Sequence, residues 1–323
     1  MAATTIPKPA GAELNSPWQL AWRRFRKHKA AVVSLGGMIA MLAFIWFGGM
    51  IFSRGMCEPT GQYMTSEAYA NCNDTAKKLQ APSPEHLFGT DTIGRDILAR
   101  TIYGGQISLT IGLFAALVEV IAGVLVGAIA GYFGGWVDDI LMRITEAMLI
   151  IPSLFLLIVL SKALGGKVPE VEFLGRTFSG SVVVIIFVIG LTSWMYLARI
   201  VRANVLSLKE LDFISASRAL GVSDSRIIFR HLLPNTIAPI IVSATLGVAN
   251  SILSEAYVSF LGLGVQTPTA SWGNMLESSV KFIQSSPWLW FFPGMLILIT
   301  VLCINFVGDG LRDALDPRST RSV

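Results

Sequence analysis

Six apolar stretches, each about 20 residues or longer, constrain this chain more than any other feature: Ala30–Phe52, Ser108–Phe133, Ile140–Leu164, Ser181–Val201, Ile237–Leu263 and Trp288–Val307. A helix needs about 20 residues to cross a hydrocarbon core of ~30 Å. In lipid every backbone N–H and C=O must be satisfied within the segment, so six such runs are read as helices. Composition agrees. Of the 323 residues 53% are hydrophobic and only 14% charged, where soluble domains carry about 25% charged, and the mean hydropathy is +0.62. These values exclude a disordered chain and argue against a soluble enzyme. The net charge of +4 is too mild for a nucleic-acid binder. The fold class expected is all-α, a polytopic membrane protein with six transmembrane helices.

Lys and Arg near span ends set orientation, because they collect on the cytoplasmic side. With the N-terminus inside, 16 of the 25 Lys+Arg fall in cytoplasmic segments and 9 outside, although the outer loops hold more residues. Both termini are therefore expected in the cytoplasm. The organisation expected is a cytoplasmic tail with an interfacial amphipathic helix over residues 1–29 and a first transmembrane helix over 30–52. An extracytoplasmic insert follows over 53–107, then a five-helix core over 108–312 with a cytoplasmic loop at 204–235, and a tail over 313–323. The first apolar run lacks a small-residue cleavage site and is read as a retained span.

In Ser16–Lys29, Trp18, Trp22 and Phe25 share a helical face, while Arg23, Arg24, Arg26, Lys27 and Lys29 supply cationic heads for lipid phosphates. A basic tether that only sets topology is an equal reading. Cys57 and Cys72 lie in the insert with 14 residues between them. A disulfide there would contribute about 3 kcal/mol; two free thiols are the alternative. Cys303, in the last span, reads as packing.

Catalytic machinery is missing. The sequence has no GxxxxGK[ST] phosphate loop, no HExxH, no GxSxG and no EF-hand pattern, and three cysteines with no CxxC pair make no four-ligand zinc site. No cofactor and no metal are therefore expected on this chain. Gly123, Gly127, Gly131 and Gly135 recur every four residues, a stripe that admits a second helix at close range. Intramembrane acids are more informative, since a carboxylate in lipid normally faces protein or water. Glu119, Glu146 and Glu255 qualify. Arg143 and Glu146 are spaced to form a structural ion pair. Asn250, Ser254 and Glu255 (with Ser251) form a polar patch that could line a translocation path; a proton relay is the other reading of these acids.

The most distinctive segment is Leu211–Asn235. It reads as two short helices around a turn, with Asp212 capping the first and Gly221 ending it in the left-handed conformation. Ser223 caps the second, Asp224 sits favourably in its first turn, and Pro234 stops it. Phe213, Ala216 and Leu220 share one face, leaving an apolar knob on a basic loop that wants a partner. As a bare pattern, helix–Gly turn–helix also fits an internal packing element or a DNA-binding motif, and the flanking spans leave the latter little room to enter a major groove.

Ser215-Ala216-Ser217, Gly221 and Leu233-Pro234 resemble the "EAA" loop of ABC importer permeases, E-A-A-x3-G-x9-I-x-L-P. Here Ser215 replaces Glu, Ser217 the second Ala and His231 the Ile, with the spacing intact. The stretches His86-Leu-Phe-Gly-Thr-Asp-Thr-Ile-Gly-Arg-Asp96, Gly131-Tyr-Phe-Gly-Gly135 and Gly308-Asp-Gly-Leu-Arg-Asp-Ala-Leu-Asp-Pro317 narrow the likeness. Together with Trp272-Gly273 and Phe292-Pro293-Gly294, they resemble the dipeptide/oligopeptide/nickel importer permeases, specifically the second (C-type) membrane subunit.

The resemblance implies a type I ABC importer permease-like bundle in the bacterial inner membrane. It would pair with a second, homologous permease subunit, dock two ABC ATPase subunits and receive di- or oligopeptides from an extracytoplasmic substrate-binding protein. ATP and Mg2+ would be held by the ATPases, and this chain would not be an enzyme. The ATPase-coupling residues implied are Asp212, Phe213, Ser215, Ala216, Ser217, Leu220, Gly221, Ser223, Asp224 and Pro234. Nickel, glutathione or another small solute, and an ion-gradient-driven secondary transporter, are the alternative functions.

Overall fold

The computed structural model of the chain describes residues 17–164, 166–173 and 176–316; the tail through residue 16 and the end from Pro317 lie outside the described residues. In chain order the elements begin with helices α1 (Pro17–Phe25) and α2 (Lys29–Phe52), strands β1 (Arg54–Cys57) and β2 (Gln62–Thr65), and helix α3 (Ser66–Ala70). Helices α4 (Ile97–Phe133), α5 (Gly135–Ile150) and α6 (Ser153–Leu164) follow, then strands β3 (Val171–Phe173) and β4 (Arg176–Phe178). Next come α7 (Gly180–Ser193), α8 (Met195–Lys209), α9 (Asp212–Ala219), α10 (Asp224–Arg226) and, after a π-helical turn Ile227–Leu232, α11 (Leu233–Asn235). The chain closes with α12 (Ile237–Phe260), α13 (Trp272–Ser279) and α14 (Trp288–Leu315). Four helices, α2, α4, α12 and α14, are long and apolar enough to cross a membrane alone, and two bent pairs, α5–α6 and α7–α8, bring the number to six. Two small antiparallel hairpins, β1–β2 and β3–β4, are the strands among the described residues.

Three spans differ from their hydropathy. Helix α4 starts at Ile97 rather than Ser108 and runs for 37 residues, about 55 Å, so the insert is residues 53–96. The added turns are polar, yet protein rather than lipid covers them. Arg100 Nη1 donates to Asn71 Oδ1 (2.8 Å), Gln106 Nε2 donates to the Ile45 carbonyl (2.9 Å), and Trp272 Nε1 donates to the Thr101 carbonyl (2.9 Å). The third apolar run breaks by 90° between α5 and α6. Pro152 disfavours helical geometry in the residue before it, and Ile151 is extended at φ −73°, ψ 125°. The fourth bends by 43° between α7 and α8, just after Thr192 Oγ1 donates back to the Val188 and Ile189 carbonyls (2.8 and 3.2 Å), a bond that bends helices.

Helix α4 is the axis of the bundle. Tyr103, Ile107, Ile111 and Ala115 pack against Val182, Ile185, Val188 and Ile189 of α7. Further along, Ala128 and Tyr132 join Leu197, Val201 and Val205 of α8. The glycine stripe makes this second contact possible: a Cβ at Gly123 would lie 2.9 Å from Leu197 Cβ, and one at Gly131 2.9 Å from the Arg202 carbonyl. Gly127 faces the Ala198 carbonyl in the same way. Gly135 does not belong to the stripe. Helix α4 ends at Phe133, and Gly135 has φ +52° with nothing within 4 Å of its missing Cβ. Large apolar side chains such as Val33, Phe47, Leu113, Ile121 and Leu298 point outward, as lipid-facing residues do.

The insert is stapled to this axis. The disulfide Cys57–Cys72, with Cα atoms 5.9 Å apart, joins β1 to the segment after α3. Asp91 Oδ2 accepts from Arg95 Nε (2.6 Å), His86 Nδ1 lies 2.7 Å from Asp96 Oδ2, and Asp96 Oδ1 caps α4 by accepting from the Ala99 N–H (2.8 Å). At the other end, Phe25 of α1 is buried against Ala31, Val307 and Ala314, while Trp22 is exposed and stacks on Phe25 at 5.8 Å. The expected single lipid-facing face therefore divides, with Phe25 turned into the protein against α14; the side chain of Trp18 lies outside the described residues. Cys303 is a free thiol at the α2–α14 contact, 3.3 Å from where a Cβ on Gly37 would lie.

Candidate functional site

Two regions carry the features that the sequence singled out. The first is the loop from Leu211 to Thr236. Helix α9 ends in a Schellman motif: the Val222 N–H donates to the Ser217 carbonyl (3.1 Å) and the Gly221 N–H to the Arg218 carbonyl (2.9 Å). Gly221 has φ +75°, a conformation that penalises any Cβ. Ile214 on α9 is fully buried with Ile227 and Leu232 against Val201 and Val205 of α8. The opposite face is open. Leu220 is 83% exposed and Phe213 42%, and Ser215 and Ala216 are exposed beside them. Ser217 is half-buried, its Oγ donating to the Phe213 carbonyl (2.7 Å).

Some local assignments change. Leu211, not Asp212, is the N-cap of α9; Asp212 occupies the first turn, where its charge favours the helix dipole. Ser223 stands at the N-cap of α10 but makes no side-chain cap bond. Asp224 instead accepts from the Tyr132 hydroxyl of α4 (2.5 Å), and the Arg218 guanidinium lies 5.0 Å over the Tyr132 ring. Pro234 does not stop the helix. The Leu233 N–H bonds to the Ile228 carbonyl across the π-helical turn, and this wider register carries the chain through Pro234 to Asn235. The break comes at Thr236 (φ −101°, ψ 5°), whose Oγ1 donates to the Leu233 carbonyl (2.9 Å).

The second region is a cleft of about 630 Å³ among α4, α12 and the two helix breaks. Ile151 and Pro152 line it from one break and Thr192 and Ser193 from the other. Asn250, Ser254 and Tyr257, at helical spacings of four and three, present one face of α12 to it, and Glu119 enters from α4. Glu255 does not line it. Ser251, Glu255 and Ser259 form the neighbouring, buried face of α12. Glu255 Oε2 accepts from Ser108 Oγ (2.8 Å) and Oε1 from Ser259 Oγ (2.6 Å), while Ser108 Oγ accepts the Trp272 N–H (3.1 Å). This carboxyl ties α4, α12 and α13 together, because one residue along a helix turns a side chain by 100° onto another face. A larger groove, about 1160 Å³ between α1, α4 and the start of α12, is lined by apolar residues such as Val124, Leu125, Phe229 and Ile240 and offers a polar solute little to bind.

Arg143 and Glu146 meet at 3.4 Å but are 84% and 57% exposed, a surface pair of small value. The pair that joins two helices is Asp138 of α5 with Arg202 of α8, two parallel bonds of 2.5 and 2.6 Å. The sequence reading missed it: 64 residues separate the partners, and neither position has a periodic signal.

A bundle of six candidate spans, two of them broken around a polar cleft, with an exposed helical knob on one connecting loop, is the architecture of a polytopic membrane permease subunit. The sequence pattern described as "binding-protein-dependent transport system inner membrane component" matches residues 123–321, and that described as "N-terminal TM domain of oligopeptide transport permease C" matches residues 16–82. The chain is 43% identical to the dipeptide transport system permease protein DppC of Alkalihalophilus pseudofirmus, over 94% of this chain and 90% of that protein. It is 41% identical to the oligopeptide transport system permease protein OppC of Escherichia coli, over 95% and 93%. A solved structure of the MetNI methionine ABC transporter in inward-facing conformations shares the fold, with a TM-score of 0.50 at 19% identity over 67% of this chain and 96% of that one. The chain belongs to the binding-protein-dependent transport system inner membrane component family. It is thus a multi-pass inner membrane permease of an ABC importer, a class that works with ATPase and binding-protein partners.

Proposed function

We propose that this permease passes di- or oligopeptides along the cleft beside α12, driven by ATPase subunits that grip the α9 knob. Peptides are supported as cargo by the transport names of relatives at 40–43% identity over nine-tenths of their length. A second homologous permease would close the open side of the cleft. Both termini and the α9 loop face the cytoplasm in this reading, supported by 16 of 25 Lys+Arg on that side. The insert with its disulfide then faces the binding protein, where an oxidising compartment suits Cys57–Cys72.

The observation that carries the proposal is the knob. A helix of 8 residues keeps Ile214 inside and leaves Phe213, Ser215, Ala216 and Leu220 uncovered. Exposed apolar side chains on a rigid, Gly-ended helix fit a partner's groove. Because α9 and α10 are tied to α4 through Tyr132, movement of the ATPases would be passed to the helix that borders the cleft. A grip on the knob that differs between two ATPase states would supply the differential contact that a two-state gate requires.

Gly221→Asp tests it. A charged Cβ-bearing residue at φ +75° distorts the Schellman turn and re-aims Leu220. In the assembled transporter, ATP-driven peptide uptake is expected to fall to background while membrane insertion persists. Unchanged uptake with unchanged ATPase binding would remove α9 from the coupling interface.

A further inference from the structure

Glu119 sits two-thirds of the way along α4, inside the hydrocarbon-spanning part, and is only 8% exposed. Burial alone does not single it out, since Glu255 is buried more deeply. The difference is in partners. Glu255 receives two serine hydroxyls, and Asp138 receives Arg202. Among the described residues Glu119 has no hydrogen bond and no ion pair. Its carboxyl lies over Gly247 of α12: a Cβ there would stand 3.0 Å from Oε2 and 3.3 Å from Oε1. The absent side chain keeps the carboxyl from being capped by the facing helix and leaves it open to the cleft.

The surroundings favour a ligand over a structural bond. Among the described residues Glu119 is the sole charged side chain on the cleft wall; the polar groups beside it, such as Thr192, Tyr196, Asn250, Ser254 and Tyr257, are neutral. Two broken spans converge on the same space, at Pro152 and at Thr192–Ser193. Broken helices in a membrane line cavities and mark binding sites. An isolated carboxylate at this depth is costly, and a cation arriving in the cleft would relieve that cost.

We infer that Glu119 is a specificity-determining residue of the cleft, whose carboxylate receives the cationic ammonium group of the passing solute. The inference rests on the peptide-transport reading above, because an unblocked peptide carries such a group at its N-terminus. Recognition is by charge and hydrogen bonding at one end, with the neutral hydroxyls and amide of the wall tolerating varied side chains.

The test uses the complete transporter in proteoliposomes, with its ATPases, second permease and binding protein. Two peptides of one sequence, free and N-acetylated, are chosen so that the isolated binding protein holds both with comparable affinity. Glu119→Gln is expected to lower uptake of the free peptide about tenfold, the loss of one charge-assisted bond, and to leave the acetylated peptide within about twofold. Glu119→Asp, which keeps the charge, is expected to restore part of the rate. ATP hydrolysis without solute reports assembly and is expected to be unchanged. Equal loss for both peptides, with hydrolysis altered, would make Glu119 a structural partner of the second permease and overturn the inference. No loss for either peptide would overturn it as well. Failure of the wild-type transporter to move the free peptide would instead refute the peptide reading itself, and the inference with it.

Discussion

Asp138 and Arg202 show what a single pair does in this bundle. Their two bonds of 2.5 and 2.6 Å join α5, the first half of one broken span, to α8, the second half of the other. Asp138 is buried while the Arg202 side chain is 34% exposed, so solvent screens the pair in part. Asp138→Ala strips a forked guanidinium of its carboxylate and leaves it beside apolar helices. The expected loss is about 1–2 kcal/mol, below the 3–5 of a fully buried pair. Heating the detergent-solubilised protein and following its monodispersity measures this. Arg202→Leu and the double variant complete a cycle; a coupling below ~0.5 kcal/mol would mean that the two side chains only pack. The same treatment of Arg143 and Glu146, exposed at 84% and 57%, should give a coupling near that floor.

At the scale of elements, the insert stands apart from the long helices that build the bundle. The hairpin β1–β2 and the 5-residue α3 are too short to hold themselves together. The disulfide closes them, assisted by Lys77 Nζ donating to Glu58 Oε1 at 2.7 Å. Replacing Cys57 and Cys72 by Ser should cost the insert about 3 kcal/mol of local stability and speed tryptic cleavage after Arg54 and Lys77, while sites beyond α4 keep their wild-type rate. Equal cleavage of both proteins at Arg54 would show that the bridge holds nothing. The pattern of elements was largely legible in the sequence, because hydropathy over about 20 residues reports burial in lipid directly. It failed where protein substitutes for lipid: the polar start of α4 at Arg100–Gln106 is covered by Trp272, Asn71 and α2, which no local window can register. The Gly221 turn was legible because only a glycine accepts φ +75° cheaply. Pro234 misled, since a π-helical turn is set by packing rather than by composition. Asn250 and Ser254 face the cleft together while Glu255, grouped with them on sequence, faces Ser108 and Ser259 instead, because adjacent residues of a helix face different ways.

At the scale of the molecule, α4 is the rod that links every functional feature. Its 37 residues, about 55 Å long, begin under the insert at Asp96, pass Ser108 with its bond to Glu255, border the cleft at Glu119 and end at Tyr132 against the α9–α10 turn. From Glu119 to Tyr132 is about 20 Å along the axis, over which Gly123, Gly127 and Gly131 lock the rod to α8. A displacement of the loop is then carried to the cleft by a packed helix pair, provided the loop holds the rod. Beside the apolar cluster that Ala128 and Tyr132 share with Ile227 and Leu232, that hold has a polar part: the Tyr132 hydroxyl on Asp224, and Arg218 over the ring. Tyr132→Phe keeps the ring and its stacking on Arg218 but deletes the bond to Asp224. In the assembly proposed above, ATP hydrolysis should continue at the wild-type rate while peptide delivered per ATP falls several-fold, because the ATPases would still grip α9 but drag α4 less surely. Paired measurements of phosphate release and peptide uptake in the same vesicles give that ratio. A ratio equal to wild type would show that the Asp224 bond carries no force, which would then reach the cleft through Arg218 on the ring or through α8, where Ile214, Val201 and Val205 provide an apolar contact.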